Sequence, residues 1–217
     1  LVERAVSMAK VAPVDKFIGL AEGDALCKEI KKLDLYDKTE PSEKLLLDMA
    51  KTAEEAALAV KGVTNSEGAS ADFDHSQVAI VTSEGFAQSY KSSSCSVSTS
   101  VIAGQGTGME TDYDYAVARH MADLKDPAVV GQSAGKKAVA KLNPKKIKTC
   151  QVPVIFDSRV AQGLISSLAA AINGSTVARG TSFLKDKLGK KILPSSVNII
   201  DDPHIKRGIA SKAFDAE

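Results

Sequence analysis

Several groups of residues in this sequence have types and spacings that could carry chemistry. Gly131-Gln132-Ser133-Ala134-Gly135 fits G-x-S-x-G, the nucleophile elbow, in which a sharp strand-to-helix turn exposes a serine hydroxyl to a histidine base. His204 follows Ser133, and Asp157, Asp201 and Asp202 lie between them, so chain order permits a triad. The setting argues against one: Asp126-Pro127 opens a helix whose apolar residues Val130, Ala134, Ala138 and Leu142 run straight through Ser133 with no strand before it. Asp201, Asp202 and His204, and separately Asp112, Asp114 and His120, are candidate metal clusters, yet neither has zinc-type spacing, and acids at loop tips more often cap or solvate. Gly104-Gln105-Gly106-Thr107-Gly108 lacks the last glycine of a dinucleotide fingerprint, because Met109 stands there, and reads as a loop. Lys136, Lys137, Lys141, Lys145, Lys146 and Lys148 could meet phosphates, but no aromatic interleaves them and a solvated face is the expectation. Ser96, Ser98 and Ser100 alternate along an apolar run, as the wet face of a sheet or the polar wall of a cleft.

The elements that must position these groups follow from periodicity. Val2, Ala5, Val6 and Ala9 have helical spacing up to Pro13, and residues 16–30 predict a loop and a short amphipathic piece. Ser42, with Glu43 behind it, caps a helix in which Leu46, Met49, Ala53, Ala56 and Val60 form an apolar stripe ended by Gly62. Residues 78–83 and 95–103 predict neighbouring antiparallel strands, with turns at Ser83-Glu84-Gly85 and around Ser92 to Ser94. Asn65 to Gly68 reads as a loop, and helical spacing returns at residues 115–123 and 129–142. Beyond Asn143-Pro144, residues 152–157 and 197–200 predict strands. The helix between them, residues 160–172, is apolar on nearly every side and should be buried. The expected class is α+β: an N-terminal domain with an antiparallel sheet and packed helices over residues 1–144, then the start of a mainly β C-terminal domain over residues 149–217.

Composition narrows the function classes. Lys plus Arg number 28 against 27 Asp plus Glu, so a formal charge of +1 gives no global attraction to nucleic acid or an anionic membrane. With 44% hydrophobic but 5% aromatic residues, the core must be aliphatic and alanine-rich. Cys27, Cys95 and Cys150 form no C-x-x-C pair and read as free thiols of a reducing compartment, the cytoplasm by default. No apolar run reaches the roughly 18 to 20 residues of a membrane span. Both ends look cut, at Leu1 and at residues 213–217.

Several ordered motifs together carry a family resemblance. Val63-Thr64-Asn65-Ser66-Glu67-Gly68-Ala69, Asp112-Tyr113-Asp114-Tyr115, Ala118-Arg119-His120, Leu142-Asn143-Pro144, Gly174-Ser175, Arg179-Gly180-Thr181-Ser182-Phe183-Leu184 and Asp201-Asp202-Pro203-His204 resemble the PmbA branch, also called TldE, of the TldD/PmbA proteins. The resemblance implies a bacterial cytosolic subunit, historically labelled a modulator of DNA gyrase, of a two-subunit metalloprotease that matures or degrades flexible peptides. It also implies that the chain is a fragment of a longer subunit.

In the TldD branch an H-E-x-x-x-H motif and a later cysteine hold zinc, with the glutamate as general base. Aligned on Arg179-Gly180-Thr181-Ser182, those ligand positions fall at Ile165, Ala170 and Val197, and the base at Ser166. The resemblance therefore implies a chain with no catalytic or metal centre of its own, zinc in a TldD-type partner subunit, and a peptide substrate, with membrane and nucleic acid not expected as partners. Asn65, Ser66, Glu67 and Gly68 with Ser96, Ser98 and Ser100 are candidate peptide-cleft residues, and Arg179, Gly180, Thr181 and Ser182 are family-motif residues. An autonomous hydrolase using Ser133, a gyrase-modulating or nucleic-acid-binding module, and pairing with a second copy when the partner is absent stay open.

Overall fold

A computed structural model describes residues 1–14 and 19–214. The expected loop over residues 16–30 and the end at 213–217 therefore fall partly outside the described residues. The chain forms two compact units: residues 22–147 with 201–217, and residues 1–21 with 148–200.

In the larger unit, helix α2 (Glu43–Leu58) starts where Ser42 accepts a hydrogen bond from the Leu45 amide, satisfying one of the orphan donors of the first turn. Strands β1 (Val63–Val81), β2 (Ala87–Ala103) and β3 (Glu110–Ala118) form an antiparallel sheet in the order β1-β2-β3. Helix α3 (Pro127–Ala140) begins with proline in its first turn and an Asp126 cap that accepts from the Ala128 amide. Helices α2 and α3 cover one face of the sheet. There Val97, Val101 and Ala103 of β2 meet Ala53 and Ala57 of α2 and Val130, Ala134 and Ala138 of α3, all with no exposed surface. Alanine and valine make a thin layer, which is how a chain poor in aromatics closes its core.

The G-x-S-x-G segment is where the two helices touch. A Cβ on Gly131 would overlap the Ala53 carbonyl oxygen, and one on Gly135 would lie 2.7 Å from Val60 Cγ2 and 2.9 Å from the Ala57 carbonyl oxygen. The glycines thus let α3 lie against the α2 backbone, and Ser133 sits inside the helix with no strand before it.

Several expectations are corrected. Strand β2 runs straight through Ser92 to Ser94, with no turn: Ser93 is buried, accepts from the Asp37 amide at 2.8 Å and donates to the Arg119 carbonyl at 2.6 Å. Residues 115–118 belong to β3, and a single 3-10 turn, Met121–Asp123, follows. β1 begins at Val63, so Asn65 to Gly68 is strand.

In the smaller unit α1 (Val2–Val11) ends before Pro13 and buries no residue. Helix α4 (Ser158–Ile172) is capped by Asp157, and α5 (Gly174–Ala178) by Asn173. Residues 152–157 and 197–200 are irregular, because β-branched runs become strands only beside a ladder partner, and none of the described residues supplies one. Helix α4 is apolar yet not buried: Val160, Leu164, Ile165 and Ile172 are about half exposed, and Ala171 is its buried residue.

Candidate functional site

The sheet face turned away from the helices gathers the two candidate cleft segments. Ser96, Ser98 and Ser100 of β2 stand opposite Asp72, Ser70 and Gly68 of β1, and on the other side opposite Val117, Tyr115 and Tyr113 of β3. The side chains interlock: Ser100 donates to Glu67 Oε2 at 2.5 Å, Ser96 to Asp72 Oδ2 at 3.4 Å and Ser70 to the same oxygen at 3.2 Å, with the Ser70 and Ser98 hydroxyls 3.1 Å apart. Tyr113 and Tyr115 stack along β3, ring centroids 6.3 Å apart. Glu67, Gly68, Ser70, Ser98, Ser100 and Tyr113 line an open groove of about 510 Å³.

Two bulges explain how Glu67 reaches the hydroxyl row. The β1–β2 register slips between Val63 and Asn65 and again between Ser66 and Gly68, leaving Glu67 as an extra residue. Gly68 follows at φ +113°, a conformation that disfavours side chains even though open space surrounds its Cβ position. The expected loop is thus a twice-bulged strand, aiming a carboxylate that a regular ladder would direct elsewhere. Asp72 and the tyrosine pair were not among the expected cleft residues. The period-2 alternation of Asp112-Tyr113-Asp114-Tyr115 was the available signal.

On the covered face, β3 carries acids. Asp112 is buried and pairs with Lys141 Nζ at 3.1 Å, and Asp114 pairs with Lys137 Nζ at 3.0 Å. Burial opposes ionisation of Asp114, but hydrogen bonds from Ser133, Lys137 and the Tyr115 amide outweigh it and hold its pKa below the ordinary value. Lys137 and Lys141 are therefore not a simple solvated face: they neutralise acids on the neighbouring strand. The same pairing takes Asp112 and Asp114 away from His120, which bonds the Asp34 carbonyl at 2.9 Å. Among the described residues no three His, Cys, Asp or Glu side chains gather as a metal site. Ser133 is tied to Asp114, and burial pushes the Cys95 thiol's pKa up.

Residues 201–214 return to the sheet as a strap. The Arg207 amide bonds the Leu33 carbonyl at 2.9 Å, and its guanidinium reaches Asp34 at 2.6 Å and Asp123 at 2.9 Å. Arg119 donates to the carbonyls of Ser93, Gly208 and Ile209. Phe214 packs edge-on against Phe86 and Tyr90, with centroids 5.2 and 5.1 Å away. Within the 201–204 motif, Asp202 accepts from the His204 amide at 2.9 Å, a local turn.

Beside this anchor, Asp37 accepts from the Thr39 hydroxyl at 2.7 Å and amide at 2.9 Å and from the Met121 amide at 2.8 Å, which pulls its pKa down to about 2. A lowered carboxylate favours the fold while ionised, so its contribution is complete above the ordinary value of about 4 and disappears as pH falls through about 2. The urea midpoint should fall between pH 4 and 2, and Asp37→Asn should flatten that limb. An equally steep limb in the variant would count against this assignment.

Residues 34–142 match the family model described as the PmbA/TldA metallopeptidase central domain, and residues 149–217 match that of the C-terminal domain. The chain belongs to the PmbA/TldD metallopeptidase family. It is 42% identical over 100% of its length to a metalloprotease PmbA homolog of Haemophilus influenzae and 38% identical to metalloprotease PmbA of Escherichia coli O157:H7, covering 48% of each. The chain thus spans about half the length of these curated relatives. A crystal structure from Bacteroides thetaiotaomicron, of a protein described as a candidate modulator of DNA gyrase, superposes with TM-score 0.88 at 26% identity, over 99% of this chain and 50% of that one. One from Thermotoga maritima, similarly described, gives 0.82 at 25% identity, over 98% and 48%.

The remaining PmbA/TldD motif residues have structural duties. Arg179 closes α5 through its amide, Gly180 follows at φ +73°, and the Thr181 amide and hydroxyl both bond the Thr176 carbonyl. Ser182 is buried and donates to the Ala171 carbonyl at 2.5 Å, tying this turn to the end of α4. Of the residues at which the sequence resemblance implies the zinc branch's ligands and base, Ile165 and Val197 are about half exposed, Ala170 is exposed, and Ser166 donates to the Gln162 carbonyl of its own helix.

Proposed function

We propose that this chain is part of a PmbA/TldE-type subunit that binds flexible peptides beside a TldD-type zinc subunit and holds no catalytic metal itself. One feature carries the reading: the family resemblance puts the zinc branch's ligands at Ile165, Ala170 and Val197 and its general base at Ser166. Hydrocarbon side chains offer a divalent cation no donor, and a neutral hydroxyl is a poor substitute for a carboxylate base. Between Gln151 and Pro203 there is no His, Cys or Glu from which a shifted site could be built. The residues do not fit zinc, so the metal belongs to the partner.

The hydroxyl-lined groove and the neighbouring strand edges suit an extended peptide, because main-chain pairing gives affinity without demanding one side-chain sequence. A cytoplasmic location agrees with three free cysteines and with described helices of which none is long and apolar enough to cross a membrane. Engagement of Lys137 and Lys141 with acids weakens the nucleic-acid reading.

Purification of the full-length protein alone and with a TldD-type subunit tests the proposal. Zinc is expected in proportion to the partner, and cleavage of an unstructured peptide only when both are present. Stoichiometric zinc together with cleavage by this subunit alone would overturn it. Sedimentation of the protein alone tells whether it pairs with a second copy.

A further inference from the structure

The open sheet face has an uneven charge that the peptide-binding reading leaves unexplained. Strands β1, β2 and β3 contain Lys91 and no other lysine or arginine. Lys91 is in register with the covered side of the sheet, its Nζ 5.6 Å from the centre of the Tyr36 ring. The open face instead presents Glu67, Asp72 and Asp74, and no cation pairs with any of them among the described residues. Their partners are serine hydroxyls: Ser100 on Glu67, Ser70 and Ser96 on Asp72, and Ser76 on Asp74. Hydroxyl donors orient carboxylates without neutralising them. The opposite edge of the same face carries the stacked pair Tyr113 and Tyr115, each half exposed, whose π faces attract cations and pack against aliphatic stems.

We propose that this face receives an extended peptide segment bearing lysine or arginine. The proposal rests on the peptide-binding reading above and names the class of peptide preferred. Geometry adds a spacing. Gly68 and Asp72 are four residues apart on β1, as are their partners Ser100 and Ser96 on β2. An extended peptide advances about 3.3 Å per residue and shows one face every second residue, so cations four positions apart would stand in step with Glu67 and Asp72. The hydroxyl row between them accepts any polar side chain.

The test uses the full-length protein assembled with its TldD-type partner and two fluorescent decapeptides of glycine and serine, identical except for two lysines or two glutamates four positions apart. The lysine peptide is expected to bind about three- to tenfold more tightly at low salt, as two exposed ion pairs allow, with the preference shrinking as salt rises. Glu67→Gln with Asp72→Asn should abolish the preference without lowering the melting temperature by more than about 2 °C, since both carboxylates are exposed. Equal binding of the two peptides, or a preference that survives in the double variant, would overturn the inference while peptide cleavage by the complex still stood. If the double variant instead lost its partner with charge preference unchanged, the face would belong to the subunit interface and the inference would fall. If the complex neither bound nor cleaved either peptide, the peptide-binding reading itself would fail, and the inference with it.

Discussion

Gly131→Ala should destabilise the larger unit by about 1 to 3 kcal/mol and lower its melting temperature by between about 2 and 12 °C. The sign is the informative part. In an open helix the same exchange stabilises by roughly 0.5 to 1 kcal/mol, because alanine has less backbone freedom to lose. At Gly131 the added methyl would overlap the Ala53 carbonyl oxygen, a backbone atom that cannot rotate aside, so α3 must move off α2. Lifting α3 would also loosen Val130 and Ala134 from Val97 and Val101. Gly163, in α4, is the internal control: nothing lies within 4 Å of its Cβ position, so Gly163→Ala should leave stability unchanged or raise it. A neutral or stabilising Gly131→Ala in a calorimetric comparison would remove the close-crossing account of the G-x-S-x-G segment.

Phe214→Ala should cost about 3 kcal/mol, near the lower end for a buried phenylalanine, because the cluster it joins with Phe86 and Tyr90 lies at the end of the sheet. Arg207→Met should cost clearly less than Phe214→Ala, although it removes two ion pairs, since Asp34 and Asp123 are partly exposed and well solvated. The strap is then held by its aromatic anchor and oriented by its arginine. Hydrogen exchange would show this as lost protection at the Arg207 amide in Phe214→Ala, with the central amides of β2 still protected. An Arg207 variant less stable than the Phe214 variant would reverse this ranking.

What the sequence made legible were elements whose signals are local. Ser42 and Asp126 announce their helices because a cap is a contact between neighbours, and the alternation from Cys95 to Ala103 announces β2 because one of its faces is apolar. Strand β3 was misread because its code is inverted. Its covered side bears Asp112 and Asp114, its open side Tyr113, Tyr115 and Val117, and the lysines that make this tolerable lie on α3 and at its C-cap. Strand β1 was cut short because its start, residues 63–68, is polar and twice bulged, and the alternation that follows, Ala69, Ala71 and Phe73 against Ser70, Asp72 and Asp74, is short and rests on small residues. The serines at 92–94 have turn-like composition, while their role depends on Leu35, Asp37 and Arg119, far away in the chain. The candidate site was half legible: the hydroxyl row and the Asn65 to Gly68 segment stand out separately in the sequence, but their meeting depends on strand register.

The strap also bears on how the chain is made. The larger unit leaves off at residue 147 and is rejoined only at residue 201, after the whole of α4 and α5. At about 5 to 20 residues per second, Phe86 and Tyr90 wait roughly 6 to 25 seconds of synthesis for Phe214 to leave the ribosome. During that interval the end of the sheet is an uncovered aromatic surface on a nascent chain. That places the vulnerability of this end of the sheet in the order of translation.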